Sequence, residues 1–116
     1  MTVRRLKTYA SSQGYVYQYY FAGKQPAADE PDATEYLFEV TSDLKLTYPV
    51  TVVVARGVVA AWAGAHMRQL TDSEQYAAVK LRLFRAFDEV PDLRSAGRHS
   101  VEAPFLEESL ASLGVD

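Results

Sequence analysis

The sequence has 116 residues, of which 48% are hydrophobic and 23% are charged, and its formal net charge is −3. This length suits one domain of ordinary size with its own core, and the composition argues against a disordered chain. The absence of cysteine excludes disulfides, thiolate nucleophiles and Cys-ligated metal sites. We therefore expect a single domain over residues 1–116 that is held together by its hydrophobic core.

The N-terminal residues and the most apolar stretch bear on localisation. Residues 1–7 lack the apolar run of a secretory signal. The stretch from Val50 to Met67 contains Arg56 and is too short to cross a bilayer comfortably. Because a chain without cysteine also suits a reducing compartment, we expect a cytoplasmic protein that has no membrane partner.

The first half of the chain is predicted to form four β-strands. Residues with high β-propensity cover Val3–Tyr9, Tyr15–Ala22, Thr34–Thr41 and Pro49–Ala55. Short turns between successive strands favour an antiparallel meander. Residues 23–33 contain two prolines and three acidic residues, and this segment is predicted to be a mobile loop.

Beyond Gly57 the sequence pattern becomes helical. Residues 58–70 fit either a strand or a helix, and their alanine content favours the helix. Thr71-Asp-Ser-Glu74 matches a capping box and predicts a helix from Asp72 to about Glu89. Residues 92–100 are predicted as a loop, and a last helix begins at Pro104. The predicted fold is therefore α+β, with a four-stranded antiparallel meander followed by about three helices packed on one sheet face.

No sequence pattern points to catalysis. The chain has no nucleophile elbow, no phosphate-binding loop and no dinucleotide-binding glycine motif. His66 could act as a general base beside Trp62, and His99 could bind an anion with Arg98. The favoured interpretations are simpler: a half-buried His66 hydrogen-bonded to the backbone, and a plain loop at His99. We predict no catalytic residue, no metal site and no cofactor, with a small enzyme that uses a Tyr/His pocket as an alternative.

The most informative feature is a row of aromatic residues on the second strand. Side chains alternate between the two faces of a strand, so four aromatic residues share one face, and three basic residues lie on the strand expected beside them. These candidate binding residues are Tyr15, Tyr17, Tyr19 and Phe21, together with Arg4, Arg5 and Lys7. The four rings, here called the aromatic ladder, could form the core beneath the helices or an exposed binding surface.

An exposed ladder would suit a non-catalytic protein-interaction or dimerisation module, because Tyr and Arg are enriched in interface hot spots. The alternative is a module that binds single-stranded nucleic acid by stacking bases on the same rings. The net charge of −3 argues against nucleic acid. The interaction hypothesis carries a condition, since a polar surface on the sheet face that the helices leave uncovered would weaken it.

Overall fold

The computed structural model describes residues 6–30 and 32–116, and this part of the chain contains five strands and three helices. In chain order they are β1 (Lys7–Ala10), β2 (Val16–Pro26), β3 (Ala33–Thr41), β4 (Tyr48–Ala55), α1 (Arg56–His66), α2 (Asp72–Glu89), β5 (Arg98–Val101) and α3 (Ala103–Ser112). The predicted α+β class is confirmed. The part of the first predicted strand that precedes Leu6 lies outside the described residues.

The five strands form one sheet in the order β1-β2-β3-β4-β5. The pairings among the first four strands are antiparallel, which confirms the predicted meander. The fifth strand corrects the prediction of a loop over residues 92–100: Arg98 pairs with Thr51, and β5 runs parallel to β4. A parallel pairing needs a long crossover connection, and α1 and α2 together supply it.

The connection between β2 and β3 is shorter than the predicted loop at 23–33. Strand β2 continues to Pro26 through a bulge between Phe21 and Gly23, where Gly23 has φ 138°. This conformation suits a glycine, because residues with a Cβ rarely adopt it. The connection is thereby confined to residues 27–32, and its mobility stays a prediction.

Helices α1 and α2 follow the sequence signals with one shift. The segment 58–70, which fitted either a strand or a helix, is helical over most of its length, as predicted. The helix begins earlier, at Arg56, and ends at His66, and the next residue, Met67, takes the left-handed conformation. The capping box of α2 is confirmed: the Thr71 hydroxyl accepts from the Glu74 amide at 3.1 Å, and the Glu74 carboxylate accepts from the Thr71 amide at 2.9 Å.

The hydrophobic core lies between one face of the sheet and the three helices. Its members include Phe38, Val40, Val50 and Val52 from the sheet, Trp62 from α1, Val79, Leu83 and Phe87 from α2, and Leu106 and Leu110 from α3. The valines of β4 pack on alternate faces of the sheet. Val52 and Val54 join this core, whereas Val53 packs with Ala27 and Ala33 on the other face. The helices therefore cover one face of the sheet and leave most of the other uncovered.

Candidate functional site

The aromatic ladder is split between the core and the surface. Tyr17 and Tyr19 are only 4% and 3% exposed, whereas Tyr15 is 55% and Phe21 is 37% exposed. The Tyr17 ring stacks on Phe87 of α2, with a centroid distance of 4.5 Å and an interplanar angle of 9°. The middle of the ladder is thus part of the core and does not form the continuous exposed surface that the binding hypothesis required.

Of the three basic residues expected beside the ladder, Lys7 is the one that lies among the described residues. Lys7 lies on β1, is exposed and pairs with Tyr19 across the strands. Arg4 and Arg5 lie outside the described residues. Burial raises the pKa of both Tyr17 and Tyr19. Their phenols therefore stay neutral at a pH at which an exposed tyrosine would begin to ionise.

The uncovered sheet face is mostly polar. Cross-strand neighbours there include the pairs Gln18–Thr41, Tyr20–Glu39 and Thr51–Arg98. Arg98 is already engaged, because its guanidinium donates to Glu35 at 2.6 Å and also contacts Asp29 and Glu30 at 3.3 Å. A polar uncovered face was the condition that would weaken the interaction hypothesis. The hypothesis of an interface built on this whole face is therefore weakened.

Exposed apolar side chains gather instead at one end of the sheet. Among the described residues, eight large apolar side chains are exposed, and four of them lie at or just before the start of β2 or in the neighbouring turn between β3 and β4. These four, here called the apolar cluster, are Tyr15 (55% exposed), Val16 (53%), Leu44 (72%) and Leu46 (57%). Of these, Val16 and Leu44 line one groove, and exposed apolar side chains that lie together are typical of an interaction site.

The turn between β3 and β4 presents the two leucines in a defined conformation. The Thr41 hydroxyl accepts from the Leu44 amide at 3.0 Å, and the Asp43 carboxylate accepts from the Lys45 and Leu46 amides at 2.9 and 3.1 Å. These backbone N–H groups lower the pKa of Asp43. Leu44 has φ 64°, which costs a residue with a Cβ about 1–2 kcal/mol. The turn therefore holds a strained leucine in solvent, a combination that suggests a functional constraint.

Two grooves flank the start of β2 and share Ser42 in their walls. The first groove, of about 380 Å³, is lined by residues that include Tyr15, Tyr17, Tyr48 and Arg94. The second, of about 230 Å³, is lined by residues that include Val16, Gln18 and Leu44. The side-chain amide oxygen of Gln18, Oε1, is buried and has no hydrogen-bond partner among the described residues. The cluster is thus an uneven surface with recesses on both sides of the strand.

Charges around the apolar cluster are balanced. Lys45 and Arg94 supply two positive charges, and Asp43 and Asp92 supply two negative charges. The Arg94 guanidinium lies 5.6 Å from the centroid of the Tyr48 ring, within the range of a cation–π contact. This end of the molecule is therefore close to neutral, although the whole chain carries −3.

The structure gives His66 a carboxylate partner. Its ring stacks on Trp62 at a centroid distance of 4.1 Å, and Nε2 lies 2.8 Å from a Glu107 oxygen. His66 thereby connects α1 to α3 rather than bonding to backbone, which was the simplest expectation. The Trp62 indole nitrogen is buried without a partner among the described residues.

His99 and Arg98, which were expected to bind an anion together, line the same cavity, but Arg98 is already engaged by three carboxylates. His99 is 8% exposed, and Nε2 lies 2.7 Å from the Ala96 carbonyl oxygen, so this nitrogen carries the hydrogen. Burial lowers the pKa of His99. Its cavity is lined by Arg82, Arg85 and Phe105 among others, without a tyrosine. The structure therefore does not bring His99, a tyrosine and a carboxylate together in this cavity, as the enzyme alternative would need.

Compared with known proteins, the chain matches no family model, and no curated protein or solved structure is significantly similar to it. Within residues 6–30 and 32–116, no helix combines the length and apolar character needed to span a membrane. The same residues contain no group of three or more His, Asp or Glu side chains that could hold a metal ion.

Proposed function

We propose that the protein is a non-catalytic interaction module that binds a second copy of itself through the apolar cluster. The observation that carries this proposal is the ordered turn that keeps Leu44 at positive φ, with its side chain 72% exposed, in a groove that it shares with exposed Val16. A turn free of other constraints would take Gly or Asn at this position, because those residues avoid most of the strain. A leucine there is explained if its side chain is buried in a complex.

Self-association fits the charge distribution around the cluster. In a symmetric dimer the same patch meets itself, so a patch with a large net charge would repel its copy. The apolar cluster is close to neutral, whereas the chain as a whole is acidic.

Leu44→Asn tests the proposal without disturbing the fold. Asn tolerates positive φ, so the monomer should keep its stability while the interface loses an apolar contact. Truncation of a hot-spot side chain costs about 2 kcal/mol or more, which raises the dissociation constant about thirtyfold. Sedimentation velocity over a range of concentrations, with thermal unfolding measured in parallel, gives both quantities.

Met67→Asn is a matched control. Met67 also has positive φ (56°) and is 91% exposed, but it lies at the end of α1 rather than in the cluster. We expect this variant to dimerise like the wild type. The proposal fails if the wild type remains monomeric at high concentration, or if Met67→Asn weakens the dimer as much as Leu44→Asn does.

The nucleic-acid alternative stays a prediction with less support. Tyr17 and Tyr19 are buried, so they offer no exposed face on which bases could stack. Binding to single-stranded oligonucleotides that falls steeply with salt would favour this alternative.

A further inference from the structure

Lys80 lies in an unusual environment for a lysine amine. Its Nζ is 5.9 Å from the ring centroid of Tyr19, 6.0 Å from that of Tyr76 and 5.7 Å from that of Phe84. Tyr76 and Phe84 are one helical turn before and after Lys80 on α2, and Tyr19 faces them from β2. Three aromatic rings thus lie around the amine, and these rings are here called the enclosure of Lys80.

The charged group that acts on Lys80 is another cation. Lys7 on β1 acts on Lys80 both as a hydrogen-bond partner and as a like charge. No ion pair links Lys80 to a carboxylate within the described part of the chain, and residues 1–5 contain no acid. Burial raises the pKa of Tyr19 and Tyr76, so neither ring supplies a phenolate. The amine therefore has no anionic neighbour that would stabilise its protonated form.

Burial and the like charge of Lys7, in that order, lower the pKa of Lys80. The aromatic faces act in the opposite direction, because a ring attracts an ammonium group. That attraction is weak here, since all three distances lie near the outer limit of about 6 Å for such contacts. A desolvated lysine beside another cation is the arrangement that activates an amine for attack on carbonyl compounds.

We propose that Lys80, enclosed by three aromatic rings beside Lys7, is a nucleophilic amine that condenses with small aromatic aldehydes. The nitrogen lone pair attacks the aldehyde carbon, the C=O π electrons pass to oxygen, and a proton moves from nitrogen to that oxygen to give a carbinolamine. Loss of water then leaves a C=N bond. The half-buried rings of Tyr76 and Phe84 would hold an aromatic aldehyde by stacking. Half-buried Lys80 beside exposed Lys7 leaves the site open to solvent.

A competition among the four lysines of the chain tests this assignment in the unmodified protein. Lys24 and Lys45 are exposed and serve as internal references. The full chain is treated at pH 7 with limiting benzaldehyde, the imine is reduced with cyanoborohydride, and the labelled positions are quantified by peptide mass spectrometry. We expect Lys80 to be labelled about threefold faster than either reference, or more, because a larger fraction of its amine is unprotonated.

Lys7→Gln tests the contribution of the neighbouring cation. Removing the like charge should raise the pKa of Lys80 and slow its labelling, while Lys24 and Lys45 react as before. A Lys45→Arg variant, altered far from the enclosure, should leave the rate at Lys80 unchanged. Labelling of Lys80 no faster than of the two references, or a rate that Lys7→Gln does not alter, would overturn the proposal.

Discussion

Substitution by alanine should cost much more stability at Tyr17 than at Tyr15, although the alternation of β2 places both on the same face. Tyr17 is 4% exposed and its ring stacks on Phe87, whereas Tyr15 is 55% exposed. Burial of about 200 Å² of an aromatic side chain, at about 25 cal/mol per Å², corresponds to about 5 kcal/mol as an upper limit. Measured truncations of buried aromatic residues lie at about 3–5 kcal/mol. We therefore expect Tyr17→Ala to lower the free energy of unfolding by about 3–5 kcal/mol.

Tyr15→Ala should change that free energy by less than about 1 kcal/mol, because most of the side chain is already in water. Urea unfolding followed by far-UV circular dichroism measures both values, and an unchanged m-value shows that the denatured state is comparable. A loss of several kcal/mol is a large share of the total stability of a domain of this size. Equal losses for the two variants would refute the division of the ladder into core and surface.

Three further substitutions test local interactions. The Arg68 guanidinium and, to a smaller extent, the Thr71 amide lower the pKa of Glu74 from 4.5 to about 2. The stability from this carboxylate is therefore present above pH about 4.5 and is lost as pH falls toward about 2. Glu74→Gln should flatten the acid destabilisation between about pH 5 and about pH 2. Burial and Asp88 raise the pKa of Tyr9 from 10.0 to about 12. The stability from this group is complete below pH about 10 and is lost as pH rises toward about 12, so Tyr9→Phe should lose less stability than the wild type between about pH 10 and about pH 12. Gly97→Ala should lower Tm by about 4 °C, since a Cβ would lie 3.0 Å from the Pro49 carbonyl oxygen and such overpacking costs about 1 kcal/mol.

Each of these predictions has a control or an outcome that would contradict it. Denaturant unfolding at several pH values measures the first two, and pH profiles parallel to that of the wild type would contradict them. Gly64→Ala is the matched control for Gly97→Ala, because Gly64 lies in α1 with open space where a Cβ would stand. It should stabilise the protein by about 0.5–1 kcal/mol through helix propensity. A rise in Tm for both variants would show that the loop around Gly97 can relax.

The candidate site was only partly predictable from the sequence. Alternation placed Tyr15, Tyr17, Tyr19 and Phe21 on one face, and that grouping is local information. Whether a given ring is buried depends on where α2 crosses β2, and the helix covers the middle of the ladder more fully than its ends. Leu44 and Leu46 carry a weak signal, since apolar residues in a turn are unusual, but the positive φ of Leu44 follows from hydrogen bonds made by Thr41 and Asp43.

The enclosure of Lys80 shows the same division within one small cluster. The spacing of Tyr76, Lys80 and Phe84 already places these three side chains along one face of a helix, because residues four apart are neighbours there. Tyr19 and Lys7 join them only because the sheet packs on α2. The sequence carries no signal for a contact between residues that are more than sixty positions apart.

The sequence by itself determined the elements whose signals are local. The capping box at Thr71 specifies the start of α2 through two hydrogen bonds within four residues, and alternation over residues 34–41 specifies β3. Tertiary structure alone decided that residues 98–101 form a strand, since four residues contain too little periodicity and their backbone groups find partners only along β4. It also decided which apolar side chains remain in solvent, because burial depends on packing between elements that are distant in the chain.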